Sequence, residues 1–569
     1  MSRTVGIGIQ DFATIITNDY FYIDKTGFIK EWWESGDAVT LIARPRRFGK
    51  TLTMSMLDTF FSIKHKDKEE LFENLSIYKE EKYRELQGTI PVISISFADV
   101  KETNFVAARE KIAMLLIQLY SKYAEIICQP NVSKEDVDAF QDMLAGMQDT
   151  SIGAVKSAFA LHLLSELLSK VYRKKVLILM DEYDTPLQKA YVNGYWDEMV
   201  AYTSSLFINT FKTNPYMQRA IMTGVTRVSK ESVFSVLNSL EGITTTSDKY
   251  ATTFGFTENE VFASMDEMGL TDRDGVKHWY DGFTFGEYTD IYNPWSILNY
   301  LDKGKYDVYW ANTSKNSLVA TLIQTADIDI KSNFQTLLEG GEIITQIIED
   351  IVYDDLDNNA GAIWSLLLAS GYLKVVKVEG VGEEAMYTLS LTNFEVSQMF
   401  RKMVKGWFRT RDNSQSRFLN ALLFGDIEAM NYYLNELTNN IFSFYDVGNG
   451  SKWKAAENFY HGFVIGLMVE LDKDYEIKSN RESGLGRYDV MLFPKTELDG
   501  IIIEFKAVRE EKGETLESAV QMALQQIEDK KYEQELLMRG VPEGKIRKYG
   551  FAFEGKNVLI EKGREHEDR

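Results

Sequence analysis

Cysteine and histidine are scarce in this chain of 569 residues, which has one cysteine, Cys128, and five histidines. A single cysteine excludes an internal disulfide, and so few ligands argue against a structural zinc site. Long hydrophobic runs are also lacking, and residues 1–10 have neither the charged nor the apolar region of a signal peptide. We therefore expect a cytoplasmic protein with no membrane partner.

Basic residues are outnumbered, since 63 Lys and Arg face 85 Asp and Glu, for a net charge of −22. This balance argues against a protein coated for nucleic-acid binding, although it leaves room for a local basic track. Each of two basic clusters is either such a track or, as is more common, a solvated face. The clusters are Arg401, Lys402, Lys405, Arg409 and Arg411, and Lys530, Lys531, Arg539, Lys545, Arg547 and Lys548.

A short apolar run near the N-terminus leads into a loop with the sequence Arg-Pro-Arg-Arg-Phe-Gly-Lys-Thr. Residues 38–43 predict a buried strand, residues 44–51 form the loop, and a helical pattern follows. This order is typical of a P-loop, in which the backbone around Gly49 cradles the phosphates of ATP. Lys50 is expected to reach the outer phosphates, and the Thr51 hydroxyl to hold Mg²⁺.

The loop departs from the Walker A pattern at its first glycine, which is Arg44 here. The usual glycine torsions are therefore not accessible at that end of the loop. Arg46 and Arg47 are predicted to contact the nucleotide. The loop arginines either compensate through added phosphate contacts or clamp ATP without helping it to react.

A second apolar run, residues 175–180, ends in the acids Asp181 and Glu182. This is the pattern of a Walker B strand, in which Asp181 holds Mg²⁺ and Glu182 polarises the attacking water. The alternative is a buried strand that ends in solvated acids. The presence of Gly49-Lys50-Thr51 in the same chain favours the nucleotide site.

A third strand pattern, residues 219–223, ends in polar groups. Thr223 is predicted to sense the γ-phosphate. Arg227 is predicted to contact it, either within one chain or from a neighbouring subunit of a homo-oligomer. An ordinary strand end with a surface arginine fits the pattern equally well.

Near the C-terminus, charged residues lie in or beside two apolar runs. Asp489 is within residues 488–493, and Glu504 and Lys506 follow residues 501–503. Buried charges are usually paired or bound to metal, and side chains alternate along a strand. We therefore expect the runs to form a hairpin with the three charges on one face. Two carboxylates suit Mg²⁺, and the ammonium can orient water beside a phosphodiester. A solvated Glu/Lys pair on an edge strand is the alternative.

These residues resemble the core of the PD-(D/E)XK nuclease superfamily, with Tyr488 at the position of the nominal proline. The resemblance implies a further metal-site glutamate on the preceding helix, where Glu457 fits. It also implies a Gln or Lys on the following helix, where Gln526 and Lys530 share one face. Asp489 and Glu504 are the expected metal ligands.

Further motifs extend the resemblance to nearly the whole chain. They are Tyr-Ile-Asp-Lys-Thr at 22–26, the loop at 44–51, Met-Asp-Glu-Tyr-Asp-Thr-Pro at 180–186, Thr-Gly-Val-Thr-Arg at 223–227, Trp-Tyr-Asp-Gly-Phe at 279–283 and Tyr-Asn-Pro-Trp at 292–295. In combination they resemble bacterial AAA-ATPase-like proteins with a C-terminal PD-(D/E)XK nuclease-like domain. In that family an arginine commonly replaces the first Walker A glycine. The resemblance implies a P-loop ATPase joined to a nuclease fold, with ATP and Mg²⁺ as cofactors.

The expected fold class is α/β, in four parts. They are an AAA-like P-loop ATPase domain with a mostly parallel sheet over residues 1–250, a helical lid over 251–360, a winged-helix-like and helical linker region over 361–445, and a nuclease-like domain over 446–569. Two functions stay open. Either nucleotide state gates Mg²⁺-dependent cleavage of DNA, or the ATPase is a signalling or assembly switch whose C-terminal domain binds nucleic acid or protein without cutting.

Overall fold

The computed structural model describes residues 3–149, 153–212, 214–228, 240–311, 317–326, 328–349, 360–407, 414–441, 460–461, 463–465, 467–468, 471, 474–483, 486–496 and 498–563. The chain divides into two compact units. The first comprises Met1–Lys315 and Ile344–Val396, and the second comprises Asn316–Ile343 and Ser397–Arg569. Within the described residues, no helix is both long and apolar enough to cross a membrane.

The first unit contains a parallel sheet of apolar strands. The strands are β1 (Val39–Ala43), β2 (Val92–Ser96), β3 (Val176–Asp181), β4 (Met217–Gly224) and β5 (Leu240–Ile243). Their order is β2-β3-β4-β1-β5, and all neighbours are parallel. Strands β1 and β3 are buried at every residue, as is usual when both faces of a parallel sheet are covered. The residues that follow β1, β3 and β4 meet at one edge of the sheet.

Helices provide the crossovers that parallel strands require. In chain order they are α1 (Phe12–Thr17), α2 (Gly27–Ser35), α3 (Lys50–Phe61), α4 (Glu81–Leu86), α5 (Phe105–Ser121), α6 (Ala124–Ile127), α7 (Lys134–Gln148), α8 (Gly153–Tyr172), α9 (Thr185–Asn193) and α10 (Trp196–Phe211). Helix α3 follows β1 after a short loop, as the P-loop pattern predicts.

The middle of the chain is largely helical and also contains short strands. Its elements are β6 (Phe256–Thr257), α11 (Glu258–Met268), α12 (Arg273–Tyr280), β7 (Phe283–Phe285), β8 (Tyr288–Tyr292), α13 (Pro294–Lys303), α14 (Ser317–Thr325), α15 (Ile328–Leu338), β9 (Ile343–Thr345), α16 (Ala360–Ala369), β10 (Leu373–Glu379), β11 (Met386–Leu391) and α17 (Phe394–Trp407). Strands β6 to β8 form a small sheet in the order β6-β8-β7, which the sequence interpretation did not include. The order helix, hairpin, helix from α16 to α17 is the predicted winged-helix-like order.

The second unit contains a mixed sheet. Its remaining elements are α18 (Ser414–Phe424), α19 (Ile427–Ile441), β12 (Tyr475–Ser483), β13 (Gly486–Pro494), β14 (Gly500–Ala507), α20 (Leu516–Lys530), α21 (Gln534–Met538), β15 (Ile546–Glu554) and β16 (Asn557–Lys562). The strand order is β12-β13-β14-β15-β16, and the pair β14–β15 is parallel. The predicted hairpin is present, since β13 and β14 are antiparallel with Val490 opposite Ile503. The predicted α/β fold class is confirmed.

Helix α19 covers the edge strand β16. Asn431 donates to the Ile560 carbonyl (2.9 Å) and accepts from its N–H (2.8 Å). Asn435 makes the same pair with Val558, at 2.8 and 2.9 Å. Helices α18 and α19 also share a hydrophobic core with this sheet. The two asparagines therefore replace a neighbouring strand at an edge that would otherwise expose backbone hydrogen-bonding groups.

Candidate functional site

The loop between β1 and α3 turns sharply into the helix. Gly49 has a φ of 80°, in the left-handed region that glycine adopts without strain. The Lys50 side chain is buried, and Nζ donates to the carbonyls of Arg44 (3.0 Å) and Pro45 (3.1 Å). It also lies 3.9 Å from Glu182 Oε1. The ammonium is thus held inside the loop, close to the acids that follow β3.

The acid at the end of β3 is bound by hydroxyls from two other elements. The Asp181 carboxylate accepts from Thr51 Oγ1 (2.8 Å) and from Thr223 Oγ1. Burial, together with the neighbouring Glu182, raises the pKa of Asp181, while the two hydroxyls oppose that shift. Thr51, Asp181 and Thr223 are therefore in contact at one edge of the sheet.

Glu182 has a φ of 54°, which is unusual for a residue with a side chain. Such a conformation costs roughly 1–3 kcal/mol and is often found at functional sites. Its carboxylate accepts from Thr185 Oγ1 at 3.3 Å. The strained turn directs this acid away from the line of β3 while keeping it close to Lys50.

The arginines of the loop differ in their surroundings. Arg44 is fully buried over the Phe285 ring, 4.3 Å from its centroid, and donates to the Thr244 carbonyl. Its burial lowers the pKa of the guanidinium to about 9. Arg46 and Arg47 are exposed. Arg44 is thus engaged in packing within the protein, and only the other two remain accessible to a ligand.

Arg227, which is predicted to contact the γ-phosphate, lies beside β5. Its guanidinium packs against Gly242, where an added Cβ would come within 2.9 Å of it. Gly242 is in β5, on the other side of β1 from β4. The structure therefore joins Thr223 to Asp181 and places Arg227 beside β5.

Asp184 is a buried acid that the sequence interpretation considered only as an alternative to Glu182. Its Oδ2 accepts from the N–H groups of Val225 and Thr226 (both 2.9 Å), from Thr226 Oγ1 (3.0 Å) and from Gln188 Nε2 (2.9 Å). Burial raises its pKa. Gln188 in turn accepts from Arg46 at 3.3 Å. Asp184 therefore connects the turn after β3 to the end of β4. Its place in the motif at 180–186 was the available signal.

The C-terminal hairpin brings the predicted nuclease residues together. Asp489 Oδ2 accepts from the Phe505 N–H at 2.8 Å. Glu504 is buried, and its Oε1 accepts from Lys506 Nζ (3.3 Å) and from Gln526 Nε2. The other oxygen, Glu504 Oε2, is buried with no hydrogen-bond partner in the described part of the chain.

Electrostatics at this site favour a bound cation. Burial raises the pKa of Glu504 to about 8, and the nearby Asp489 acts in the same direction, while Lys506 opposes it. A carboxylate as deeply buried as Glu504 ionises at lower cost when a cation lies beside it. Lys506 Nζ also donates to the Phe505 carbonyl (3.1 Å), which restricts its position.

Two residues beside this site were missed. His461 is buried, with Nε2 2.9 Å from the Asp489 carbonyl oxygen, and Tyr532 accepts from Gln526 Nε2 at 3.2 Å. His461 is one of only five histidines and lies four residues after Glu457, which is the spacing expected of two residues on one face of the helix that the sequence predicts there. Glu457 itself lies outside the described residues.

The proposed basic tracks are partly neutralised. Ion pairs join Arg539 to Glu476 (2.8 Å), Arg547 to Asp499, and Lys548 to Glu528 (2.8 Å) and Glu533 (3.5 Å). Arg401 donates to the Leu338 carbonyl at 2.7 Å. Arg409, Arg411 and the side chain of Lys405 lie outside the described part. A continuous basic track along the second cluster is therefore not supported.

Comparison with known proteins gives two family matches. Residues 6–234 match the family described as predicted AAA-ATPase, and residues 455–563 match the PD-(D/E)XK nuclease superfamily. A protein of Azotobacter chroococcum mcd 1, described as "Uncharacterized protein in vnfD 5'region", is 26% identical over 555 residues, or 95% of each chain.

Among solved structures, the chain resembles the Signal Transduction ATPase with Numerous Domains protein with a tetratricopeptide repeat sensor from Pyrococcus horikoshii. The match has 14% identity and a TM-score of 0.23, and covers 80% of this chain. The chain spans 54% of that protein, and a similarity of this size supports no further conclusion. The two family matches do support a conclusion. The chain has an N-terminal domain of the predicted AAA-ATPase family and a C-terminal domain of the PD-(D/E)XK nuclease superfamily.

Proposed function

We propose that the protein is an ATPase whose nucleotide state gates Mg²⁺-dependent cleavage of DNA by its C-terminal domain. The observation that carries the nuclease half is the unpartnered buried oxygen of Glu504. A buried carboxylate oxygen without a partner is costly, and a divalent cation would satisfy it. Asp489 adjoins it, so the pair offers the hard oxygen ligands that Mg²⁺ prefers.

At the N-terminal site, Lys50 would exchange its two loop carbonyls for the outer phosphates of ATP. Thr51 and Asp181 are already hydrogen-bonded to each other, and both are suitable oxygen ligands for Mg²⁺. Glu182 would orient the hydrolytic water, and Thr223 would sense the γ-phosphate. The exposed Arg46 and Arg47 would add phosphate contacts, and Arg227 would require movement or a second subunit to take part.

At the C-terminal site, Asp489 and Glu504 would hold the divalent ion, with Glu457 as a further acid. A bound divalent ion activates water and offsets phosphodiester charge. Lys506 would orient that water and stabilise the developing charge, while Gln526 fixes the orientation of Glu504. We assign this activity to a cytoplasmic protein with DNA as its substrate.

The alternative is an ATPase switch whose C-terminal domain binds without cutting. The partly neutralised second basic cluster and the net charge of −22 favour it, because both weaken binding to the DNA backbone. The two functions differ in what Asp489, Glu504 and Lys506 are needed for, which makes them separable by substitution.

The test is to incubate the purified protein with plasmid, linear and single-stranded DNA, with and without Mg²⁺ or Mn²⁺ and ATP. Cleavage should need metal and disappear in Asp489→Ala, Glu504→Ala and Lys506→Ala. Mn²⁺ binding, measured by calorimetry, should be lost in the two acid variants and kept in Lys506→Ala. Lys512→Ala, on an exposed lysine outside both basic clusters, is a matched control. Wild-type cleavage and metal binding in all three site variants would remove the nuclease assignment. DNA binding without cleavage by the wild type would select the alternative.

A further inference from the structure

The nucleotide loop is held by the middle region at five successive residues. A glycine-rich loop has no side chains through which neighbours could hold it. Here the contacts are Arg44 on the Phe285 ring (4.3 Å), Pro45 against Gly371, the Arg46 carbonyl with Asn293 Nδ2 (3.3 Å), Arg47 over the Trp295 ring (4.2 Å), and Phe48 against the rings of Phe283 (4.8 Å) and Phe285 (5.4 Å). The loop therefore cannot change shape without disturbing residues 283–295.

Asn293 joins the loop to a helix through one side chain. It is buried, and its Oδ1 accepts from the N–H groups of Trp295 (2.9 Å) and Ser296 (3.3 Å), which caps α13. Its Nδ2 is the donor to the Arg46 carbonyl. The start of α13 and the backbone of the nucleotide loop thus share one amide group.

Ser296, in the first turn of α13, links this helix to Glu395. Ser296 Oγ donates to Glu395 Oε2 (2.8 Å), and Glu395 Oε1 accepts from the N–H groups of Trp310 (2.6 Å) and Ala311 (3.3 Å). Glu395 is buried in the first turn of α17. A chain of direct hydrogen bonds therefore runs from the Arg46 carbonyl, through Asn293 and the first turn of α13, to the start of α17.

We propose that Asn293 and Trp295 are positioning residues for the nucleotide loop, and that nucleotide occupancy is transmitted through them and Glu395 to α17. The proposal rests on the proposed function and gives its gating a physical route. When phosphate replaces the Arg44 and Pro45 carbonyls at Lys50, the loop backbone must adjust. The contacts of the loop with Asn293 and Trp295 would pass that adjustment to α13. Coupling of this kind requires that α13 has two conformations, one for each state of the nucleotide site.

The first test separates loop positioning from simple helix capping. Asn293→Ser keeps a capping oxygen but is too short to donate to the Arg46 carbonyl, whereas Asn293→Ala loses both functions. Both variants should bind Mg²⁺ with ATPγS about tenfold more weakly in calorimetry, the effect of one lost hydrogen bond. Asn293→Ala, which also loses the helix cap, should have the lower melting temperature of the two variants. Wild-type affinity in Asn293→Ser would reduce this residue to a cap and overturn its positioning role.

The second test follows hydrogen exchange in residues 283–311 and 394–407 of the full chain. Mg²⁺ with ATPγS should change exchange in both segments of the wild type. Glu395→Gln should bind the nucleotide normally but lose the nucleotide-dependent change in exchange in residues 394–407. In this variant one carboxylate oxygen, which accepts hydrogen bonds from N–H and O–H groups, is replaced by an NH₂ group that can only donate. Asp302→Ala, an exposed residue of α13, is the control that should behave as wild type.

The outcomes distinguish this inference from the proposed function. Nucleotide binding with unchanged exchange in both segments would overturn the coupling while leaving the ATP site intact. A nucleotide-dependent change in 394–407 that persists in Glu395→Gln would also overturn it. A wild-type protein that binds no nucleotide would remove both proposals.

Discussion

Arg44 shows how a residue that departs from a motif can be built into its structure. Replacing it with glycine would restore the Walker A pattern but remove the stacking on Phe285 and the bonds to the Thr244 and Lys249 carbonyls. We predict that Arg44→Gly lowers the free energy of unfolding by about 3 kcal/mol, from lost charged hydrogen bonds and cation–π contact. Chemical denaturation would measure it, with Arg44→Lys as the milder comparison. Unchanged stability in the glycine variant would contradict this role.

The acids after β3 are predicted to have separable roles. Glu182→Gln should trap ATP without turnover, because the group that polarises water is lost while the binding residues stay. Asp184→Asn should lower the turnover rate more than the affinity, since it disturbs the end of β4 that bears Thr223. Measuring ATP binding and hydrolysis for both variants checks this. Normal hydrolysis in Glu182→Gln would assign water activation to another acid.

Glu504 predicts a pH dependence whose sign follows from its burial. Its pKa rises from an ordinary value of 4.5 to about 8, so the folded protein retains a proton that the unfolded chain releases. Its contribution to stability is present below pH 4.5 and is lost as pH rises to about 8. Metal-free protein should therefore lose a few kcal/mol of stability over this range. Denaturation with and without EDTA at several pH values tests this. In Glu504→Gln, the part of this stability loss that comes from the Glu504 carboxyl should disappear. A pH profile identical to that of the wild type would contradict the prediction.

Mg²⁺ affinity should change in the opposite direction, because the ion must displace that proton. Binding is expected to strengthen as pH rises towards 8 in the wild type. The burial of Glu504 that destabilises the metal-free protein at high pH thus favours the metal-bound form.

Among elements, α19 makes a prediction that does not depend on catalysis. Asn435→Ala would leave the N–H and carbonyl of Val558 without protein partners at a sheet edge. We expect a loss of about 2 kcal/mol from two backbone hydrogen bonds, and a greater tendency to aggregate through the uncovered edge. Thermal unfolding and light scattering measure the two effects. Substituting the exposed Tyr432 on the same helix by alanine is the control, and equal behaviour of the two variants would exclude edge protection.

Elements with strong periodicity were predictable from the sequence, and weakly patterned ones were not. Strands β1 and β3 and the β13–β14 hairpin are recognisable as apolar runs next to residues typical of nucleotide or metal sites. Strands β6 and β7 have only two and three residues, too few to show alternation. The spacing of Asn431 and Asn435 is that of two residues on one helix face, but nothing in the local sequence indicates which strand they cover.

The candidate sites likewise contain residues that the sequence could predict and residues that it could not. Short motifs predict roles for Lys50, Asp181, Asp489 and Glu504, because the chemistry proposed for them depends on local spacing. By contrast, the hydrogen bond from Arg44 to the Thr244 carbonyl joins residues 200 positions apart in the sequence, and hydrophobic periodicity does not predict such contacts. The same applies to Glu395, whose burial is set by residues far along the chain.

For the whole molecule, the central question is whether the two proposed activities, ATP hydrolysis and DNA cleavage, are linked. If nucleotide state gates cleavage, Lys50→Ala should abolish ATP binding and make DNA cleavage insensitive to added ATP, while Glu182→Gln should fix it at the ATP-bound level. Gel assays of Mg²⁺-dependent cleavage with ATP, ADP or no nucleotide measure this. Loss of the C-terminal metal site must abolish cleavage in every nucleotide state, which separates the gate from the chemistry. Cleavage that responds to ATP equally in the wild type and in Lys50→Ala would show that the nucleotide acts elsewhere than at this loop.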